Sequence, residues 1–461
     1  MYPTIKDIHF VGIGGIGMSG LAEILLTMGC RVTGSDLRRS PLTERLRRRG
    51  ARISFGHKAD NVSKVNPPQL VVTSSAVAKN NIEISEAAKR GIPVISRGEM
   101  LAELMRLKYG IAVAGSHGKT TTTSLVAAVL DAGGFDPTLV IGGRVKSLRT
   151  NARLGKGDFL VAEADESDGS FLHLNPTIAV VTNIDREHMD HYRDFDALRA
   201  TFGEFSGKIP FYGAAIFCAD HPETARLAAK FPKRGFTYGI QEAADYQATS
   251  IRQKGWGSEF DVKFRGESLG RIRLRQPGLH NVLNSLAAVA VGRELGVKFS
   301  DIRKGLANFR GIARRLEIVH QGDVMVVDDY GHHPKEIDAT LSALRSAVKK
   351  RKLWVLFQPH RYTRTKDLFE DFAKAFGEAD EVVITEIYAA SEEPIRGVSG
   401  KALADAVKKK QGGRGVAFVP RVDAIAEAVL PRLQKGDVVL TLGAGDIWKA
   451  GKELARRWIK K

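Results

Sequence analysis

Cysteine is nearly absent. Cys30 and Cys218 are the only two in 461 residues, far apart and in apolar surroundings, so neither a disulfide framework nor a thiolate metal site is supported, and both read as core residues. No apolar run approaches the roughly 18 residues a bilayer-crossing helix needs, and the opening MYPTIKDIHF lacks the apolar stretch of a signal peptide. The expectation is a soluble, cytoplasmic protein with no membrane partner. Acidic residues are in deficit, 52 against 70 Lys and Arg, for a formal charge of +18, and such a balance first raises nucleic acid or another polyanion. The basic residues are dispersed, however. Runs such as Arg45 to Arg49 and Lys349 to Lys352 follow helical spacing or end a helix, as a solvated face does. No nucleic-acid motif accompanies them, so no nucleic-acid partner is expected, and the charge serves at most to speed the arrival of anionic nucleotides. There is no internal repeat or low-complexity segment, and nothing in the sequence fixes an oligomeric state.

What is present is enough for about three domains at a typical domain size. The stretch VAGSHGKTTTTS, Val113 to Ser124, organises the rest. A short apolar run precedes it, and Leu125, Val126, Val129 and Leu130 behind it fall on one helix face. In a strand–loop–helix of this kind Gly115, Ser116, His117 and Gly118 bring backbone amides around a phosphate. The helix N-terminus adds partial positive charge, Lys119 reaches the terminal phosphates, and Thr120 and Thr121 open the helix, with the Thr120 hydroxyl placed for magnesium.

The N-terminal segment begins with an apolar strand, Ile8 to Ile13, running into Gly12-x-Gly14-Gly15-x-Gly17 and a helix with Leu21, Ile24, Leu25 and Met28 inward, ended by Gly29. Asp36 follows a second strand, 19 residues after Gly17, where a dinucleotide fold places its ribose-binding carboxylate. That spacing suggests NAD, but a UDP-sugar diphosphate meets the same helix N-terminus equally well. Ser74 and Ser75 stand at a later strand end, where ligands bind in open parallel sheets. A boundary is expected near Lys108.

In the central segment the strand Phe159 to Ala162 ends in Glu163, Asp165, Glu166 and Asp168, a place where magnesium is commonly held beside a phosphate loop. His188 follows another strand end and is a candidate metal or phosphate neighbour. Residues 245–276 alternate apolar and charged side chains, as an antiparallel ribbon with one wet face does. Asn281 then either caps the following helix or contacts a nucleotide. The last segment alternates strands and helices again. Its strand ends carry Asp328, Asp329, His332 and His333 in one loop and His360, Arg361 and Arg364 in another, two clusters at neighbouring strand ends that suit an anionic substrate.

GIGGIGMSGLAE, GSHGKTTTTS, AEADESDGSF, TNIDREHMDHY, GLHNVLNSLAA, ARRLE, DDYGHHPKEI and FQPHRYTRT together span nearly the whole chain, and in this order they resemble the Mur ligases of peptidoglycan synthesis. The resemblance implies an α/β protein of three domains. A Rossmann-like UDP-sugar domain occupies 1–108 and a central P-loop ATPase-type domain, mostly parallel with an antiparallel ribbon, occupies 109–313. A C-terminal Rossmann-like domain at 314–461 binds ATP and the amino acid. It implies ATP and Mg2+, with Gly12, Gly14, Gly15, Gly17, Asp36 and Ser74 on the UDP-sugar and the 115–121 loop with Asn281, Arg315 and Asp329 on ATP. By the same likeness Thr120, Glu163 and His188 hold metal, His332, Arg361 and Arg364 meet the amino acid, and Lys119 and His332 are catalytic. The expected substrates are UDP-N-acetylmuramate and L-alanine, joined through an acyl phosphate. A Mur-type ligase of preformed peptides and a regulatory nucleotide-binding protein are the competing readings.

Overall fold

In the computed structural model the described residues are 5–62, 66–74, 76–145, 150–189, 191–390, 392–413 and 415–459. Ser75 and Asp190, which fall in two of the motifs above, lie outside them. Three sheets follow one another along the chain. The first comprises β1 (Asp7–Val11), β2 (Arg31–Asp36), β3 (Arg52–Phe55), β4 (Leu70–Thr73) and β5 (Val94–Ser96), in the order β3-β2-β1-β4-β5 with every pair parallel. The order reverses at β1, so the glycine loop behind β1 opens at the switch point where open α/β sheets bind ligands. Its helix, Ile16–Thr27, buries Leu21, Ile24 and Leu25 as the spacing predicts. Met28 is 39% exposed, contrary to expectation, because the helix has already ended and Gly29 turns the chain with φ +87°.

The second sheet comprises β6 (Tyr109–Ala114), β7 (Thr138–Val145), β8 (Thr150–Arg153), β9 (Phe159–Glu163), β10 (Ile178–Val181), β11 (Ala214–Cys218), β12 (Gly235–Gly239), β13 (Tyr246–Lys254), β14 (Gly257–Phe264) and β15 (Glu267–Leu274). The order is β15-β14-β13-β12-β11-β10-β6-β9-β7-β8. β6 sits between β9 and β10, parallel to both, which brings the acid-bearing end of β9 and the end of β10 to either side of the phosphate loop. β13, β14 and β15 follow one another through two-residue connections and form the expected ribbon. Phe260, Val262, Ile272 and Leu274 are buried on its dry side.

The third sheet comprises β16 (Glu317–His320), β17 (Met325–Asp329), β18 (Leu353–Phe357), β19 (Glu381–Ile384), β20 (Val416–Phe418) and β21 (Val438–Leu442), in the order β16-β17-β21-β18-β19-β20. β16 alone is antiparallel to its neighbour. The last strand, β21, inserts between β17 and β18, so the two basic loops are not on adjacent strands, as the sequence suggested, but one strand apart.

Contacts divide the chain into two compact units, 1–250 with 260–273 and 282–310, and 251–259 with 274–281 and 311–461. One continuous buried cluster joins the first two sheets within the former: Ile8, Phe10 and Leu25 belong to it together with Ala112, Phe171 and Phe202. Cys218 is buried as read, whereas Cys30, at the end of the first helix, is only partly so.

Candidate active site

The loop behind β6 requires glycine for its shape. Gly115 has φ +134° and Gly118 φ +81°, both left-handed; a Cβ at Gly115 would collide with Thr182 Oγ1, and one at Gly118 would stand 2.7 Å from Asn284 Oδ1. The end of β10 ties the loop down. His117 N–H donates to Asn183 Oδ1 at 2.7 Å, while Thr182 Oγ1 and Asn183 Nδ2 donate to His117 O at 2.7 and 3.1 Å. Ser116 Oγ accepts from the Asp185 N–H at 2.8 Å. Lys119 is the first residue of the helix Lys119–Ala132, with Thr120 and Thr121 half-buried in its first turn.

Lys119 Nζ donates to Gly115 O at 2.6 Å and to both oxygens of Glu166 at 2.8 and 2.9 Å. Burial alone lowers the pKa of this ammonium, but Glu166 and Asp165 outweigh it and hold the group up at about 12, so it is a fixed cation at neutral pH. Burial raises the carboxyl pKa of Glu166, and Lys119 opposes the rise. Asp165 in turn accepts from Arg97 Nη2 at 3.0 Å. The ligand atoms of Glu166, Glu187 and His188 lie within 4.8 Å of one another. His188 has φ +58°, a backbone conformation that a non-glycine residue holds only where its surroundings enforce it. Glu163 is not part of that group; its Oε1 accepts the Gly142 N–H at 2.8 Å. His188 Nε2 lies 3.8 Å from Glu166 Oε1 and 3.8 Å from Glu187 Oε2.

Behind β1, Gly12 has φ +78°, and the N–H groups of Gly12 and Ile13 both donate to Ser35 O at 2.9 Å. Gly14 N–H donates to Asp36 Oδ2 at 2.8 Å, so this carboxylate braces the loop. Gly15 is the helix N-cap and has no side chain to occupy the amides. Arg97 lies across the first turn: a Cβ on Gly17 would stand 2.9 Å from its Cδ. Ser74 follows β4 at the same carboxyl edge of the sheet.

In the C-terminal unit the carboxylate of Asp329 is buried and accepts the N–H groups of Leu316 and Gly331, each at 2.7 Å; burial pushes its pKa up to about 6. Arg315 pairs with Glu336 at 3.5 Å and lies over the Tyr330 ring. Asn281 lies inside the helix Leu279–Glu294, where its Nδ2 donates to Pro277 O at 2.8 Å, so it is not the N-cap. His332 and His360 rings stand 5.8 Å apart and Arg364 Nη1 lies 3.2 Å from His360 Nδ1. Burial pulls the His332 pKa down to about 3; Glu336 opposes and Arg364 adds to it. Its Nδ1 is 3.1 Å from Tyr330 O, so in the neutral ring Nδ1 carries the hydrogen and Nε2 accepts. Arg361, with φ +71°, pairs with Glu392 at 3.9 Å; burial lowers the pKa of His360, and the Arg361 charge helps to lower it. Sequence reasoning gave no role to Asn183 or Arg97, and set His360 only in the strand-end cluster with Arg361 and Arg364. Only the position of Asn183 just past a strand end could have singled it out.

A glycine loop with a lysine at its helix N-terminus, behind a strand flanked by parallel neighbours in the second of three α/β sheets along the chain, defines a nucleotide-phosphate-binding α/β protein. The chain matches three family profiles in succession, described as Mur ligase family, catalytic domain (residues 7–109), Mur ligase middle domain (113–292) and Mur ligase, glutamate ligase domain (314–445). The chain belongs to the Mur ligase family. It is 54% identical to a UDP-N-acetylmuramate–L-alanine ligase of Geotalea daltonii over 99% of both chains, and 54% identical to one of Syntrophotalea carbinolica over the full length of both. Among solved structures, the UDP-N-acetylmuramate-alanine ligase of Thermotoga maritima is similar with TM-score 0.85 and 31% identity, covering 98% of this chain and 99% of that one. A murein peptide ligase of Psychrobacter arcticus is similar with TM-score 0.72 and 26% identity over 97% and 98%. Among the described residues no helix is long and apolar enough to cross a membrane.

Proposed function

We propose that this chain is a cytoplasmic, ATP-dependent ligase that joins L-alanine to the lactyl carboxylate of UDP-N-acetylmuramate in peptidoglycan precursor synthesis. The observation that carries the reading is the 54% identity, over 99% of both chains, to a ligase of that name. A carboxylate does not acylate an amine, because attack would have to expel oxide. ATP removes the obstacle. A lactyl oxygen forms a bond to the γ-phosphorus as the bond to the β-phosphate oxygen breaks and ADP leaves; the amine nitrogen of alanine then adds to the acyl carbon, and phosphate departs with the former carboxylate oxygen.

Lys119, a cation throughout the neutral range, matches the negative charge of the β- and γ-phosphates. The Gly115–Gly118 amides hold them in place. Hydroxyl and carboxylate oxygens are the donors a hard cation prefers, and Thr120 and Glu163 supply them at the phosphate loop, with His188 as a third candidate; the residues fit Mg2+. Bound there, the ion would neutralise phosphate charge. Asn281, Arg315 and Asp329 are assigned to ATP, and Gly12, Gly14, Gly15, Gly17, Asp36 and Ser74 to the sugar nucleotide. For alanine, Arg364 is the fork suited to a carboxylate and His332 Nε2 the acceptor suited to its amine; Arg361 is kept in the set as the weaker member. The domain limits 1–108, 109–313 and 314–461 belong to the same proposal. Phosphate release from ATP with UDP-N-acetylmuramate, measured against a panel of amino acids and peptides, tests it. Release with alanine is the expected result, and release only with a peptide would overturn it.

A further inference from the structure

One buried carboxylate stands apart from both glycine loops. Glu83, in the first turn of the helix Ile82–Lys89, is 0% exposed. Burial pushes its pKa up, but hydrogen bonds from His9, Ser35 and Asn61 overcome this and hold it at about 2. Its Oε2 accepts from Ser35 Oγ at 2.7 Å and lies 3.0 Å from His9 Nε2. Its Oε1 accepts from Asn61 Nδ2 at 2.7 Å and Lys58 N–H at 3.2 Å, and lies 3.1 Å from His57 Nδ1. Apolar residues of similar volume would fill such a place at lower cost, so a fully satisfied polar hub is retained for the geometry it imposes.

That geometry fixes one imidazole. Ser35 gives its hydrogen to Glu83, so toward His57 Nδ1, 3.1 Å away, it can only accept; the carboxylate also only accepts. Nδ1 therefore carries the hydrogen, and in the neutral ring Nε2 is a bare acceptor. His57 keeps 19% of its side chain exposed, and Nε2 makes no hydrogen bond to any described residue. The ring sits just past β3, where Gly56 N–H donates to Asp36 O at 2.9 Å. In this fold a diphosphate on the helix behind β1 places the ribose at the carboxyl end of β2, and the base falls beyond it, at the loop behind β3.

We propose that Glu83 is a positioning residue: it holds His57 in the Nδ1–H form, so that Nε2 accepts the N3–H of a uracil base and turns away cytosine, whose N3 bears no hydrogen. The inference deepens the proposed function and rests on its assignment of the first sheet to the sugar nucleotide.

Calorimetry with UDP and with CDP on the full chain, without ATP or alanine, tests it alongside nitrogen NMR of the histidine rings. The parent should show His57 protonated at Nδ1 and prefer UDP. Glu83→Gln and His57→Phe should each weaken UDP about tenfold, the worth of one hydrogen bond that leaves a donor unpaired. The double variant should be no weaker than His57→Phe, since Glu83 acts through that ring. An Nε2–H tautomer in the parent, additive losses, or unchanged UDP affinity in Glu83→Gln would each overturn the proposal. His57→Phe and the NMR of the parent keep the test open if Glu83→Gln fails to fold. UDP binding without substrate-dependent phosphate release would sink the proposed function instead, leaving this assignment standing.

Discussion

At the scale of single residues, Lys119 holds a buried ion pair besides the phosphate role proposed for it, and the two can be separated by mutation. Its ammonium is the partner of Glu166, which is 1% exposed. Truncating the lysine leaves a buried carboxylate without that partner, an event that costs roughly 3 kcal/mol in comparable pairs. Lys119→Ala should therefore abolish ligation and also lower the melting temperature. A carboxyl whose folded pKa lies above its unfolded value takes up a proton on folding, so the lost stability should return as the pH falls. It should return at neutral pH in Lys119→Ala/Glu166→Gln, with activity still absent. A single variant as stable as the parent would show that the ion pair contributes nothing. His332 makes a second case. With its pKa near 3 the ring is neutral throughout the working range, so in its proposed role it would accept a hydrogen bond from the amine and not keep the proton. His332→Ala should lower kcat by about a hundredfold, and by the same factor at pH 6.5 and 8.5; a factor that grew toward acid would show that the ring titrates.

At the scale of elements, the phosphate loop was legible because its shape demands glycine at fixed places and charge at a helix start, and both are local. Strand order was not. β21 slides between β17 and β18 through pairings more than eighty residues apart in sequence, and nothing in a local pattern encodes such a pairing. β11 escaped notice because a short strand buried along its whole length lacks alternation. The partnership of His188 with Glu166 and Glu187 escaped for the same reason as the strand order: these side chains meet only once β9 and β10 flank β6. That arrangement makes Asn183 the clamp of the loop, donating to and accepting from His117 at 3.1 and 2.7 Å. Asn183→Ala removes both bonds and frees the loop, and each bond contributes roughly 1 kcal/mol. The KM for ATP should rise about tenfold or more while UDP binding holds. Equal weakening of both ligands would mean that the clamp supports the whole unit and not the loop alone.

At the scale of the molecule, the first two sheets are one structural unit even though their sequences look like separate modules. The helix Ile16–Thr27 lies on β7 and β8, with Asn151 Nδ2 donating to Ile16 O at 2.6 Å, and Arg97 reaches Asp165 at 3.0 Å. The apolar cluster runs without a break from Ile8 to Phe217. Separating the sheets would expose that shared surface at about 25 cal/mol for each Å² of apolar area, so they should melt together. In scanning calorimetry UDP, which the proposed function assigns to the first sheet, and ADP, which it assigns to the second, should raise the same transition, each by the stabilisation that binding supplies, about 2.7 kcal/mol at a hundred times Kd. Gly20→Leu supplies a control without ligand. A Cβ at Gly20 would stand 3.0 Å from Ala152 Cβ, so the larger side chain should wedge the helix from β8 and lower that same transition. Two separate transitions, one moved by UDP alone and the other by ADP alone, would show that the shared cluster does not couple the sheets.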